Sequence, residues 1–294
     1  MLRAVAEPLV WRHRTGEIVL DRPRVMGILN VTPDSFSDGG RYLEPDAAIR
    51  RALEMVAQGA DLIDIGGEST RPGSDPVPAD EEWRRIRPVF EGLVRTTGVP
   101  LSVDTRKPEV AARALEAGAS IVNDVSGLRD PEMVRGIAGA RAGAVIVHML
   151  GEPKTMQVAP SYGDVVAEVR GFLAARIETA VLAGVPREAL AVDPGIGFGK
   201  ALDHNLELLA HIGDLTALGR PVVIGVSRKS FLGALFPSTS GERLSASLAA
   251  AAFAVIQGAQ VVRVHDVAET VRALQVVKDV RVAQAPRSPA RENL

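Results

Sequence analysis

The sequence predicts an α/β fold, a (β/α)8 TIM barrel, on three observations. Short β-rich apolar runs alternate strictly with longer segments of helical spacing, which favours a parallel sheet covered by helices. There are eight such units in the 294 residues, and about 250 residues is the usual size of a closed eight-stranded barrel. No Gly-x-Gly-x-x-Gly follows the first run, which removes the commonest sign of the competing open, dinucleotide-binding sheet.

In chain order, residues 9–12 and 17–20 flank Arg14-Thr15-Gly16, a spacing suited to a hairpin with glycine at the turn. This N-terminal extension, 1–24, is expected to cap the barrel's bottom. The barrel is assigned to 25–282, with strands at 25–30, 61–65, 100–104, 120–124, 144–148, 189–193, 221–226 and 260–265. Amphipathic spacing places helices at 46–58, 81–96, 108–117, 162–183, 206–218, 243–256 and 268–280. The helix 243–256, RLSASLAAAAFAVI, is small and apolar almost all round, so it should be buried in the barrel wall or against another subunit. Residues 283–294 mix Pro, Ser, Arg and Glu with no periodic apolar face and are expected to form a flexible tail on which function does not depend.

With 46% hydrophobic residues the chain can bury a large core as one domain. Lys and Arg total 34 against 36 Asp and Glu, a formal net charge of -2, which gives no pull toward nucleic acid. The absence of cysteine excludes disulfides, thiolate metal sites and cysteine nucleophiles, and suits a reducing cytoplasm. No run approaches the roughly 18 apolar residues of a membrane span, so no membrane partner is expected.

Catalytic groups in such barrels come from the C-terminal strand ends. Those ends here read Asn30, Glu68-Ser69-Thr70-Arg71, Asp104-Thr105-Arg106, Asn123-Asp124, His148-Met149, Asp193-Pro194-Gly195, Ser227-Arg228-Lys229-Ser230 and Arg263-Val264-His265-Asp266. One Asp or Asn at a strand exit is ordinary loop and cap chemistry. Eight polar exits that bring Arg, Lys and His toward carboxylates and amides fit a pocket for a polar heterocycle and an anion. Arg263 and His265, two apart on a strand, project together into the barrel mouth if the register holds. Of the other histidines, His13, His204 and His211 read as surface groups, and His148, at a strand end, reads at least as readily as a structural group as a functional one.

Three exits carry long or glycine-rich loops. Residues 30–40 and 66–78 hold charged and hydroxyl groups beside strand ends, as binding loops do. The third, Asp193-Pro-Gly-Ile-Gly-Phe-Gly-Lys200, lacks the Gly-Lys-Ser/Thr ending of a nucleotide P-loop and reads as a loop that sets Asp193 and Phe198 beside a flat ring.

Taken together, MGILNVTPDSFSDGG (26–40), GGESTRPGS (66–74), SVDT (102–105), IVNDVSG (121–127), HMLGEPKTMQ (148–157), DPGIGFGK (193–200), SRKS (227–230) and RVHDV (263–267) closely resemble the dihydropteroate synthase family of pterin-binding enzymes. The resemblance spans nearly the whole barrel. One departure is Leu150, where the family usually has Gln after His-Met.

The resemblance implies a transferase of folate biosynthesis that joins 7,8-dihydropterin-6-ylmethyl diphosphate to p-aminobenzoate, giving 7,8-dihydropteroate and pyrophosphate with Mg2+. By similarity the pterin would be held by Asp104, Asn123, Met149, Asp193, Phe198 and Lys229. Asn30, Arg71, Arg263 and His265 would hold the diphosphate, with Asn30 on the metal. The p-aminobenzoate would meet Phe36, Thr70, Arg71, Pro72, Lys229 and Ser230. A dissociative reaction would place Asp104 and Asp34 near the pterin methylene cation, with Lys229, Arg263 and His265 completing the catalytic set. Sulfonamides, which mimic p-aminobenzoate, are expected competitors, and the family's usual state implies a homodimer. Three alternatives stand beside this reading: a Schiff-base aldolase using Lys229, a pterin-dependent methyltransferase domain, and a pterin-binding protein without catalysis.

Overall fold

The computed structural model describes residues 8–32, 45–69, 73–235 and 243–284. A hairpin of β1 (Val10–His13) and β2 (Gly16–Val19) precedes eight parallel strands: β3 (Arg24–Asn30), β4 (Leu62–Gly66), β5 (Leu101–Asp104), β6 (Ile121–Asp124), β7 (Gly143–Val147), β8 (Leu190–Asp193), β9 (Val223–Ile224) and β10 (Val261–Val264). Their order is β8-β7-β6-β5-β4-β3-β10-β9. A parallel bridge between Val192 and Val222, with Val192 N donating to Pro221 O at 2.9 Å, brings β8 against β9 and closes the ring.

Helices α1 (Pro45–Ala57), α2 (Ala79–Thr96), α3 (Pro108–Glu116), α4 (Pro131–Ala140), α5 (Val165–Leu182), α6 (Leu202–Ala210), α7 (Ile212–Thr216), α8 (Ser230–Leu235), α9 (Arg243–Ile256) and α10 (Val267–Gln284) surround it. The outer strand faces, such as Val25, Ile63 and Val103, join the buried helix faces in one large apolar cluster. The inner faces alternate with them. Met26, Leu62, Ile121, Val145, Ala191, Val223 and Val261 fill the lower interior, and Trp11 of the hairpin packs in the same cluster. Trp11 is fully buried and its Nε1 donates to Ala189 O at 3.0 Å, while Arg14 N donates to Ser120 O at 3.3 Å. Both acceptors precede strands, so the hairpin lies across the barrel's bottom.

Several elements depart from the sequence expectation for local reasons. The hairpin turn is Arg14-Thr15, because His13 pairs with Gly16, which therefore begins β2 rather than forming the turn. The strand expected at 221–226 shortens to two residues. Pro221 has no N–H, and Val222 instead receives the Gln260 Oε1 acceptor on its N–H at 2.7 Å and two backbone donors on its oxygen. The helix expected at 206–218 is two helices that meet at His211, whose φ of -113° breaks the ladder. The helix α4 follows β6 as the alternation expects; Asp130 caps it by accepting from Glu132 N at 2.8 Å and Pro131 stands at its first position.

Candidate active site

On four strands the inward face turns polar above the apolar floor, because alternation carries the same face upward: Leu62 leads to Asp64, Ile121 to Asn123, Ala191 to Asp193 and Val261 to Arg263. Asp104, Asn123, Asp193, Phe198, Lys229 and Arg263 line one cleft at the strands' C-terminal ends, with Val125, Val147 and Gly225. The structure therefore brings together six of the residues expected from sequence.

Arg263 is the centre of the charge arrangement. Its Nε donates to Asp64 Oδ2 at 2.6 Å and an Nη to Asp104 Oδ2 at 2.5 Å. Asp64 Oδ2 also accepts from Asn123 Nδ2 at 2.9 Å. Burial alone would lower the Arg263 pKa, but Asp64 and Asp104 overcome it and raise it. The guanidinium thus ties two carboxylates together inside the barrel through its Nε and one Nη. Asp64 went unnoticed in the sequence reading. The signal was a lone carboxylate on the inward face of the apolar run LIDIG.

Burial pushes the Asp104 carboxyl from 3.8 up to about 7; Arg263 opposes the shift, and Asp64, Glu82 and Asp124 add to it. Burial likewise raises Asp193, opposed first by Lys229. Lys229 is lowered to about 8 by burial, and Asp193 pulls it back up. Its ammonium sits 4.4 Å from the centre of the Phe198 ring and donates to Ile196 O. Gly225 lines the same wall, and a Cβ there would lie in ordinary contact with Lys229 Nζ at 3.7 Å and Asp193 Oδ2 at 3.9 Å.

The loop after β8 does not cradle a phosphate with its amides. Gly195 N donates to Asp193 Oδ1 at 2.7 Å and Gly197 N to Asn205 Oδ1 at 2.6 Å, so those donors are already engaged. Gly195 has φ +67°, and a Cβ there would stand 1.8 Å from His148 O, which explains why only glycine fits. His148 is buried, its Nδ1 lies 2.9 Å from Lys200 Nζ, and burial lowers it to about 3.

Met149 is buried in the inner apolar cluster against which Phe198 packs, together with Val125 and Val147 of the cleft wall. His265 lies near the mouth, with Ser227 Oγ 3.0 Å from its Nδ1 and accepting from its backbone N at 3.2 Å. Ser230 opens α8 and is exposed. Asn30 ends β3 beside Gly66 and is half-buried. Asp34, Phe36, Thr70, Arg71 and Pro72 lie outside the described residues. The flanks of the second loop are tied down: buried Glu68 accepts from Val77 N at 2.7 Å and from Lys107 Nζ at 2.5 Å, and Lys107 also reaches Glu82 at 2.5 Å.

Among the described residues no group of three His, Asp or Glu side chains could hold a metal ion. The amide oxygen of Asn30 is a hard ligand of the kind Mg2+ accepts, and Mg2+ commonly completes its shell with water and substrate phosphates. The residues present therefore fit an ion that arrives with a diphosphate.

A barrel with a carboxylate-, amide- and lysine-lined cleft at its strand ends suits an enzyme that binds a flat polar heterocycle. The family model described as pterin binding enzyme matches residues 26–265, and the chain belongs to that family. Within it, the chain is 47% identical over 259 residues to the dihydropteroate synthase of Escherichia coli (strain K12), covering 88% of this chain and 92% of that one. The structure resembles that of Burkholderia cenocepacia dihydropteroate synthase complexed with 7,8-dihydropteroate, with TM-score 0.85, 50% identity and coverage of 94% and 98%. It also resembles Yersinia pestis dihydropteroate synthase in a sulfonamide drug complex, with TM-score 0.88, 44% identity and coverage of 93% and 100%.

Proposed function

We infer that the chain catalyses the dihydropteroate synthase reaction, a transferase step of folate biosynthesis. The observation that carries this reading is that Asp104, Asn123, Asp193 and Lys229, delivered by different strands, line one cleft. A dihydropterin presents a row of N–H donors beside ring acceptors. Asp193 would accept from the amino group and ring N–H, and Asn123 and Lys229 would meet the remaining edge. Phe198 would cover a ring face.

In the reaction the methylene C–O bond breaks and its electron pair leaves with pyrophosphate. The p-aminobenzoate amine supplies the pair for the new C–N bond and sheds a proton. No protein nucleophile is required, which leaves the Schiff-base alternative without a task for Lys229. Positive charge develops at the methylene and its ring, and the ionised Asp104 would stabilise it. Asp34 is assigned the same role from the resemblance. Arg263, itself held by Asp64, keeps Asp104 in place by a direct contact. Asn30, Arg71, Arg263 and His265 would hold the diphosphate, and Mg2+ bound there would offset the charge that collects on pyrophosphate. The p-aminobenzoate would lie against Lys229 and Ser230, with Phe36, Thr70, Arg71 and Pro72 of the two loops, and sulfonamides would compete there.

Pyrophosphate release on mixing both substrates tests the reading. Release with both substrates and Mg2+ should be accompanied by 7,8-dihydropteroate, stop on chelation, and resume when Mg2+ returns. No dihydropteroate with both substrates present, or turnover indifferent to chelation, would contradict it.

No described helix is long and apolar enough to cross a membrane. The cysteine-free composition suits the cytoplasm, where the reaction is placed. A homodimer is supported by the outer face of α9, where Phe253 is 44% and Ile256 54% exposed while Ala251, Ala254 and Val255 are buried in the wall. Sedimentation should give twice the chain mass, and Phe253→Asp should reduce it to one chain. A wild-type monomer at micromolar concentration would remove the dimer from the account.

A further inference from the structure

Lys200 ends the glycine loop after β8 and is 3% exposed. Its Nζ lies 2.9 Å from His148 Nδ1, 3.0 Å from Gly195 O and 3.0 Å from Phe198 O, so each ammonium proton has an acceptor. None of the ion pairs among the described residues includes it. Removing an ammonium from water without a touching carboxylate is costly, and burial accordingly lowers Lys200 to about 7. A side chain needed only to fill that space would be apolar. The lysine is informative because of what its donors hold.

Those donors act on both ends of one short loop. The other carbonyls of the loop are held as well: Ile196 O by Lys229, Gly197 O by Gln157 Nε2 at 2.7 Å, and Gly199 O by Tyr162 Oη at 2.8 Å. Every carbonyl from 195 to 199 therefore takes a side-chain donor, and Lys200 supplies two of the five. The loop also presses on the segment after β7, since a Cβ on Gly199 would lie 2.3 Å from Leu150 O. By reaching His148, Lys200 joins the two segments where they meet. Asp193 stands at one end of this assembly, with its Oδ1 on Gly195 N, and Phe198 stands at the other under the Lys229 ammonium.

We propose that Lys200 is a positioning residue for the pterin half of the reaction: its contacts with His148, Gly195 and Phe198 set Asp193 and Phe198 in the geometry that reads the pterin. The proposal rests on the functional reading above and assigns Lys200 no contact with substrate. Its effect passes through the loop alone.

The test compares the wild-type chain with Lys200→Met, which keeps the side chain's reach without its donors, and Lys200→Gln, which keeps two N–H donors. Affinity for 7,8-dihydropterin-6-ylmethyl diphosphate, read from pterin fluorescence, and its KM should both weaken by about tenfold or more in Lys200→Met. The KM for p-aminobenzoate should stay unchanged and kcat should change by less than about threefold. Lys200→Gln should recover part of the lost pterin affinity, and it carries the test should Lys200→Met fail to fold. Unchanged pterin affinity in a folded variant would overturn the proposal. So would equal loss of affinity for both substrates, which marks general loosening of the barrel. A wild-type chain that binds the pterin diphosphate but releases no pyrophosphate would sink the functional reading while leaving the fluorescence titration to decide the role of Lys200.

Discussion

Replacing Asp104 by asparagine is expected to slow single-turnover formation of dihydropteroate by about a hundredfold or more while changing pterin affinity by less than about threefold. The amide keeps an oxygen for Arg263, and Asp64 still holds the guanidinium at 2.6 Å, so the cleft keeps its shape. What disappears is a negative charge aimed at a cation that exists only as the C–O bond opens. The wild-type pH profile supplies a second reading of the same residue. Because burial raises Asp104 from 3.8 to about 7, the ionised form gains as pH rises through neutrality, and the single-turnover rate should rise with it. That limb should be missing from Asp104→Asn. The stability consequence has the opposite sign: between those two pKa values the native chain holds a proton that the unfolded chain has released, so this group's contribution to stability falls as pH rises through that window. Equal single-turnover rates in wild type and variant, or a limb that survives the substitution, would remove Asp104 from the chemistry.

Much of the barrel was legible because its period is repeated eight times. Each strand run is buried on both faces and stands out as an apolar block. Where a strand loses that property the reading slipped: Pro221 and the side chain of Gln260 replace part of the ladder around β9, and no apolar count reveals it. The single helix read across 206–218 failed at His211 because the periodic pattern continues through a break in backbone conformation.

The site was legible as residue types at strand ends, and much less so as partnerships. Sequence placed Arg263 and His265 on one face of a strand, which the alternation supports. It could not show that Arg263 turns toward Asp64 and Asp104, because those carboxylates come from strands about 200 and 160 residues away in sequence, brought close only by barrel closure. Met149, assigned to the pterin by resemblance, packs in the inner cluster together with Val125 and Val147, which line the cleft. Lys200 was visible only as the last letter of a glycine motif, because its importance lies in which carbonyls it meets.

The second large effect is expected at Asp193. Burial raises its pKa, so the ionised carboxylate costs the native state, and Asp193→Asn should fold at least as well as wild type. Its oxygen can still accept from Gly195 N, which holds the loop at 2.7 Å in the parent. Toward a pterin the change is severe. A carboxylate accepting two N–H groups is replaced by an amide that offers one oxygen and turns N–H against N–H, and the pairing with the Lys229 ammonium weakens as well. Binding of 7,8-dihydropterin-6-ylmethyl diphosphate to wild type and Asp193→Asn, each shown folded by circular dichroism, is therefore the most direct measurement of whether one cleft reads the pterin. The account predicts one site per wild-type chain and affinity weakened by about a hundredfold or more in the variant. Equal affinity in the two proteins would contradict it.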